Sequence, residues 1–103
     1  MQKGEVWWAN FPAPMGKRPV LLLSRNTAYV VRTAILVAPL TGTIRGTPVE
    51  VTFEEIRSMD SAFVIDLDNI MTIPISLLTE PIARLSKEKI EDVHKALSFA
   101  FDL

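Results

Sequence analysis

The chain has 103 residues, of which 49% are hydrophobic, and its formal net charge is −1 at pH 7. This length fits one domain covering residues 1–103, and the apolar fraction is sufficient for a packed core. The chain has no cysteine and a single histidine, which excludes disulfides, thiolate nucleophiles, cysteine-bearing zinc sites and catalysis by a histidine pair within one chain. No apolar run approaches the ~18 residues of a membrane span, and the opening residues lack a signal-like apolar segment. We therefore expect a cytoplasmic protein without membrane association.

The charges are unevenly distributed along the chain. Residues 1–49 carry six lysines or arginines and one acid, a net charge of +5, whereas residues 50–103 carry five bases and eleven acids, a net charge of −6. No aspartate or glutamate lies between Glu5 and Glu50. A basic cleft depends on the local field and not on the net charge. The pattern therefore fits a polyanionic partner, and it fits chance segregation in a short chain equally well.

The first predicted strand is GEVWWANF (4–11), which combines valine, two tryptophans and phenylalanine. Because side chains alternate along a strand, Trp7 and Trp8 should face opposite sides. One of them then fills the core, and the other is exposed, lies at an interface or is available for stacking on a base. The alternative is that loops or a partner bury both.

A loop with two prolines and a glycine, PAPMGK (12–17), leads to the second strand, RPVLLLS. Pro19 restricts Arg18 to an extended conformation at the strand entrance. Arg18 is then either a solubilising strand-edge cation or a positioned charge in a binding site. The next segment, RNTAYVVRT, is predicted as a turn with irregular structure. TAILVAPL (33–40) is a third strand with the continuous apolar character of burial on both faces.

The second half begins with a polar loop, TGTIRGTP (41–48), followed by the alternating strand VEVTF (49–53) with Glu50 pointing outward. EEIRSMD (54–60) is predicted as a short helix or turn. Three further strands are predicted at SAFVIDLD (61–68), NIMTIPI (69–75) and PIARL (81–85).

The last segment changes to a helical period. Ser86 is a predicted N-cap, and His94 is expected at the boundary of the apolar face. The apolar residues at helical spacing are Ile90, Val93, Leu97 and Phe101. Five to seven short strands followed by one C-terminal α-helix predict a mainly β protein, a small barrel with a helix packed on it. Small barrels of this kind commonly bind ligands through their connecting loops.

Three segments, GEVWWANF, GKRPVLLLS and VAPLTGTIRGTPVEV, occur in the order and at the approximate distances that resemble the MazF/PemK toxin family of type II toxin–antitoxin systems. DNIMTIP and LSKEKIEDVHKAL resemble its later segments. The resemblance implies an SH3-like small β-barrel that forms a homodimer. It also implies a sequence-specific endoribonuclease that cleaves single-stranded RNA without a metal or other cofactor. Arg18 matches the family's catalytic arginine, and Thr41 matches its catalytic threonine.

Such an enzyme uses the 2′-OH of RNA as the nucleophile, and produces a 2′,3′-cyclic phosphate and a 5′-OH. Arg18 would mainly stabilise charge on the phosphate, because its planar guanidinium suits phosphate oxygens, and the sequence leaves the proton transfers unassigned. The sequence identifies no general base. Further residues expected to bind RNA are Lys17, Trp8, Arg25, Arg45 and Asn69.

Two departures from the family pattern stand out. The 12–17 loop is shorter than usual and lacks an acid, and Met71 replaces a common arginine.

The alternative interpretations are an inactive or gyrase-poison-like binding module of the same fold and a general single-strand-binding barrel. The family resemblance further implies an antitoxin partner with a flexible acidic tail, which would suit the basic half.

Overall fold

The computed structural model of the protein describes residues 1–54 and 62–103. Within these ranges, seven antiparallel strands form a curled sheet, and a C-terminal helix packs on it. The strands are β1 (Glu5–Asn10), β2 (Lys17–Leu22), β3 (Ala34–Thr41), β4 (Glu50–Phe53), β5 (Phe63–Asp66), β6 (Met71–Pro74) and β7 (Leu78–Arg84). The helices are α1 (Ala28–Val31) and α2 (Lys87–Ala100), with one 3₁₀ turn at Ile75–Leu77. Neither described α-helix has the length and apolar character needed to cross a bilayer.

The long strand β3 organises the sheet. The hydrogen-bonded order is β4-β5-β3-β2-β1-β7, and β6 pairs with the first half of β3. One edge of β3 therefore bonds first to β6 and then, at Leu40 and Thr41, to β5. The opposite edge bonds to β2. This arrangement curls the sheet into a half-barrel and confirms the predicted mainly β fold with a C-terminal helix.

The two faces of the sheet carry two separate cores, because successive strand residues point to opposite sides. The helix-side core consists of Val6, Leu21, Ala38, Leu40, Val51, Phe53, Ile65, Leu67, Leu85, Val93 and Ala96. The α1-side core consists of Ala9, Val20, Leu22, Ala28, Ile35, Val37, Ile73 and Leu78. β3 contributes to both cores, which explains its continuous apolar sequence.

The helix α2 closes the helix-side core. Ser86 caps it as predicted, since its Oγ accepts a hydrogen bond from the backbone N–H of Lys89 at 3.2 Å. The Lys89 ammonium reaches β4 and donates to the carbonyl oxygen of Thr52 at 2.6 Å. Val93 is buried, but Phe101 lies beyond the end of the helix and is 59% exposed. The helical spacing of apolar residues therefore extends one position too far at Phe101, because the helix ends at Ala100. His94 is exposed.

Other elements differ from the sequence prediction in detail. The segment predicted as irregular after β2 contains the single-turn helix α1, whose Ala28 is buried against β2 and β3. A four-residue segment has little helical stability of its own, so tertiary packing stabilises α1. The predicted helix or turn over 54–60 lies, apart from Glu54, outside the described residues. Trp7 packs on the α1-side core, and both tryptophans remain partly buried.

The chain's single tyrosine supplies a pH-dependent reporter of α1. Tyr29 lies against the α1-side core and donates its hydroxyl hydrogen to the Ser24 carbonyl oxygen at 3.0 Å. Burial raises the pKa of Tyr29 to about 12 from its ordinary 10.0. We expect the phenolate absorbance of the folded protein to titrate near this raised value, and that of the denatured chain near the ordinary one. Because only the unfolded phenol ionises between these values, stability should fall with rising pH in that window, and Tyr29→Phe should remove this contribution.

Candidate active site

Arg18 lies near the start of β2, where the sequence fixes its backbone. It pairs with Ala9 of β1, and the following residue, the buried Pro19, pairs with Trp8. Pro19 disfavours the helical region for Arg18, so the residue before the buried part of β2 stays extended. Arg18 shares a sheet face with Val20 of the α1-side core, two residues further along the strand. The Arg18 side chain therefore lies on the α1-side face of the sheet.

Thr41 lies at the corresponding point of the neighbouring strand. The β2–β3 pairs are Leu22↔Val37, Leu21↔Ala38 and Val20↔Pro39. Extended two residues further, this antiparallel register sets Arg18 opposite Thr41. Directly opposed residues of an antiparallel pair present their side chains on the same face. The two residues predicted to be catalytic therefore face the same side of the sheet, on adjacent strands.

The two strands stop bonding to each other just before these residues. The last pair is Val20↔Pro39. The next residue of β2, Pro19, has no N–H to donate to β3. Beyond Pro39, β3 bonds through Leu40 and Thr41 to β5. We call the place where β2 and β3 no longer pair, between Arg18 and Thr41, the notch.

The Arg18 guanidinium is exposed and held at one edge. Its Nε donates a hydrogen bond to the carbonyl oxygen of Met15 at 3.0 Å. Among the residues that the structure describes, no carboxylate forms an ion pair with Arg18. Its remaining N–H groups can therefore bind an anion such as a phosphate without first breaking an internal salt bridge.

Thr41 supplies a hydroxyl on the other side of the notch. It is partly buried at the last position of β3. Its Oγ1 accepts a hydrogen bond from the backbone N–H of Thr43 at 3.2 Å. Because this bond uses the oxygen as acceptor, the hydroxyl hydrogen is available for donation to a ligand.

Lys17 and Trp8 lie on the other face of the sheet from Arg18. Lys17 pairs with Asn10, directly next to the Arg18–Ala9 pair, so its side chain points to the opposite face. Its ammonium lies 5.0 Å from the centre of the Trp8 ring and 3.1 Å from Oε1 of Glu80. The tryptophan and lysine predicted to bind RNA thus contact each other, and Glu80 of β7 already partly neutralises the lysine.

Arg45 and Asn69 line a third location, an open groove of about 390 Å³ bounded by the 45–50 loop, the turn after β5 and the end of α2. Glu50 orders this loop, because its carboxylate accepts hydrogen bonds from three successive backbone N–H groups, 2.7 Å for Gly46. Asn69 donates to Asp66 at 2.6 Å. Arg45 therefore enters a groove that contains carboxylates as well as the amide of Asn69.

Arg25 is exposed beside α1, in a smaller cleft of about 250 Å³ that Arg32 also lines. Of the seven predicted site residues, Arg18 and Thr41 thus share one sheet face on adjacent strands, and the other five form three separate groups. Glu80, which pairs with Lys17 across 63 positions, was not predicted from the sequence, and Glu50 was expected only to point outward. The length of the first separation explains why Glu80 was not predicted. Glu50 binds backbone N–H groups of the loop, which are independent of residue identity, so the side chains gave no signal for it.

The chain matches a known toxin family over almost its full length. The family described as PemK-like, MazF-like toxin of type II toxin–antitoxin system matches residues 2–101. Probable endoribonuclease MazF5 of Mycobacterium tuberculosis is 35% identical over 101 residues, which is 97% of this chain and 92% of that protein. Probable endoribonuclease MazF2 of the same species is 36% identical over 99 residues and 94% of each chain.

Solved structures agree with the sequence matches. The M. tuberculosis toxin MazF-mt6 superposes with a TM-score of 0.85 at 31% identity, and the match covers 96% of this chain and 97% of that one. A mycobacterial endoribonuclease in complex with its cognate antitoxin superposes with a TM-score of 0.84 at 22% identity, over 100% of this chain and 96% of that one, a likeness of fold. Together with the seven-stranded half-barrel, these matches assign the chain to the PemK-like, MazF-like toxin family of type II toxin–antitoxin systems.

Proposed function

We propose that this toxin is a metal-independent endoribonuclease that cleaves single-stranded RNA in the cytoplasm, and that the notch between β2 and β3 is its active site. The observation that carries the proposal is the pair formed by Arg18 and Thr41 on one sheet face, at the point where strand pairing ends. A module acting only through protein contact has no need of this arrangement. Relatives named as endoribonucleases, at 35% and 36% identity, support the same reaction.

The reaction needs positioning and charge stabilisation more than a chemically unusual side chain. The 2′-oxygen of the substrate attacks the adjacent phosphorus and loses its proton, while the bond from phosphorus to the 5′-oxygen breaks and that oxygen gains a proton. The products are a 2′,3′-cyclic phosphate and a 5′-OH. Because the RNA supplies the nucleophile, the enzyme has to hold the phosphate and stabilise the negative charge that develops on its oxygens.

Arg18 and Thr41 are suited to this task. The free N–H groups of the Arg18 guanidinium bind the non-bridging phosphate oxygens, since the planar cation offers donors in a geometry that matches phosphate. The Thr41 hydroxyl donates a further hydrogen bond from the opposite strand. Preorganised donors of this kind typically contribute about 3–4 kcal/mol of transition-state stabilisation each.

RNA has to extend beyond the notch, and the other basic and aromatic residues provide three possible directions. Lys17 with Trp8 offers a cation and an aromatic surface on the far face of the sheet. Arg25 lies beside α1, and Arg45 with Asn69 lines the 390 Å³ groove. We propose that these residues bind the flanking nucleotides by phosphate contact and base stacking.

We further propose a homodimer and an antitoxin partner with a flexible acidic tail. Exposed apolar side chains at the end of α2 support the homodimer, with Phe99 61% and Leu103 90% exposed. The acid-free stretch between Glu5 and Glu50 supports attraction of an acidic tail.

The test is cleavage of a long single-stranded RNA in the presence of EDTA. Wild-type protein should produce discrete fragments with cyclic-phosphate ends. Thr41→Val, which keeps the shape of the side chain but removes the hydroxyl, should slow cleavage by about 10²- to 10³-fold, whereas Thr41→Ser should retain most of the rate. Intact RNA after incubation with folded wild-type protein would contradict the nuclease proposal, and activity only after metal is restored would contradict metal independence.

A further inference from the structure

The short 12–16 loop reaches the Arg18 side chain directly. The Arg18 Nε donates to the Met15 carbonyl oxygen at 3.0 Å, so the residue that precedes β2 by two positions holds one edge of the guanidinium. This contact uses the Nε–H and leaves the N–H groups of the two terminal nitrogens, which lie in the same plane, available for a ligand. The loop thus restricts the direction in which the arginine presents its remaining donors.

The loop is itself fixed by its backbone. The N–H of Phe11 donates to the Gly16 carbonyl oxygen at 2.9 Å, and the N–H of Met15 donates to the Pro12 carbonyl oxygen at 3.2 Å. These two bonds close the loop at its base and within its turn. The Met15 carbonyl therefore belongs to a turn that backbone hydrogen bonds hold in place.

Gly16 determines the direction of that carbonyl. Its φ is +67°, in the left-handed region that glycine adopts at little cost and β-branched residues avoid. With Lys17 and Arg18 fixed in β2, the dihedral angles of Gly16 set the plane of the Met15–Gly16 peptide. No heavy atom lies within 4 Å of a Cβ built on Gly16, so the space around it would admit a side chain. The requirement for glycine here is conformational.

We propose that Gly16 is a positioning residue for the cleavage reaction: its left-handed backbone directs the Met15 carbonyl to the Arg18 Nε and so orients the guanidinium toward the scissile phosphate. The inference rests on the proposed function, since orientation of Arg18 affects the rate only if Arg18 acts on the phosphate. An arginine held in this way loses less side-chain freedom when it binds the transition state. The short loop then has a role in catalysis through its backbone alone.

A series of substitutions at Gly16 tests the proposal. Gly16→Val, which disfavours the left-handed region, should lower kcat by about 10-fold with KM unchanged, because a misdirected group near the chemistry loses rate steeply. Gly16→Asn should retain near wild-type kcat, because asparagine tolerates this region. Gly16→Ala should lie between them. The same Val substitution placed in Arg18→Ala should produce no further loss.

A second measurement reports the contact without using activity. Hydrogen exchange of the Arg18 Nε–H, followed by NMR, should be slow in the wild type and in Gly16→Asn, and fast in Gly16→Val. Cleavage that is lost in Arg18→Ala but equal across the Gly16 series would overturn the inference alone. A similar loss from Gly16→Val with and without the Arg18 side chain would also overturn it. Absence of any cleavage by the wild type would overturn the proposed function, and the catalytic role of this contact with it.

Discussion

Arg18→Ala should lower kcat for RNA cleavage by about 10²- to 10³-fold, a loss of roughly 3–4 kcal/mol of transition-state stabilisation. The reason is that Arg18 is the cation on the notch face of the sheet opposite Thr41, and its Nη groups are not engaged by a carboxylate within the described residues. The variant should fold normally, because the side chain is exposed and outside both cores. Arg18→Lys should recover only part of the rate, since an ammonium keeps the charge but lacks the planar donors.

The matched control is Arg32→Ala. It removes the same charge from the same basic half of the chain, but Arg32 lies beside α1 and was not expected to bind RNA. Its effect should be confined to a modest change in KM that weakens further as salt is raised. Initial rates on one defined oligonucleotide, together with unfolding curves for each variant, decide the outcome. Equal losses in the two variants would show that Arg18 contributes only through general electrostatic attraction.

Phe53→Ala should lower the free energy of unfolding by about 3–5 kcal/mol. Phe53 is 1% exposed in β4 and packs in the helix-side core, which α2 covers through Val93 and Ala96. Truncation would leave a cavity between the sheet and the helix, and neighbouring side chains would fill it only in part. Since domains of this size are stable by about 5–15 kcal/mol, the loss is a large fraction of the total.

Urea denaturation followed by tryptophan fluorescence measures this effect. Val30→Ala is the control, because Val30 is 87% exposed and its truncation should change stability by no more than about 0.5 kcal/mol. A loss below about 1 kcal/mol for Phe53→Ala would show that this part of the core is loosely packed.

The elements themselves could largely be predicted from local sequence. The alternation in β4 and the Ser86 cap of α2 each express a local physical preference, and the structure bears them out. The apolar run of β3 is buried on both faces only in part, since Leu36 is exposed. The misses have local causes as well. The single turn of α1 has too few residues for a recognisable helical period, and the last apolar position of the stripe falls beyond the end of α2.

The candidate site could be predicted only in part. The sequence shows that Arg18 precedes a proline at a strand entrance and that Thr41 follows a buried strand, and the family pattern pairs them. Their facing position depends on the β2–β3 register, which is set by hydrogen bonds between distant segments. The same register sends the adjacent Lys17 to the other face, since successive strand residues point to opposite sides.

The sequence by itself therefore determined the mainly β architecture with a closing helix, the absence of cysteine chemistry and the basic character of the first half. Those properties follow from composition and from short-range periodicity. Only the tertiary structure decided which cations share a face with Thr41, that Glu80 pairs with Lys17, and that the Met15 carbonyl holds Arg18. These contacts arise from strand pairing and loop closure, where a shift of one residue would exchange the two faces of the sheet.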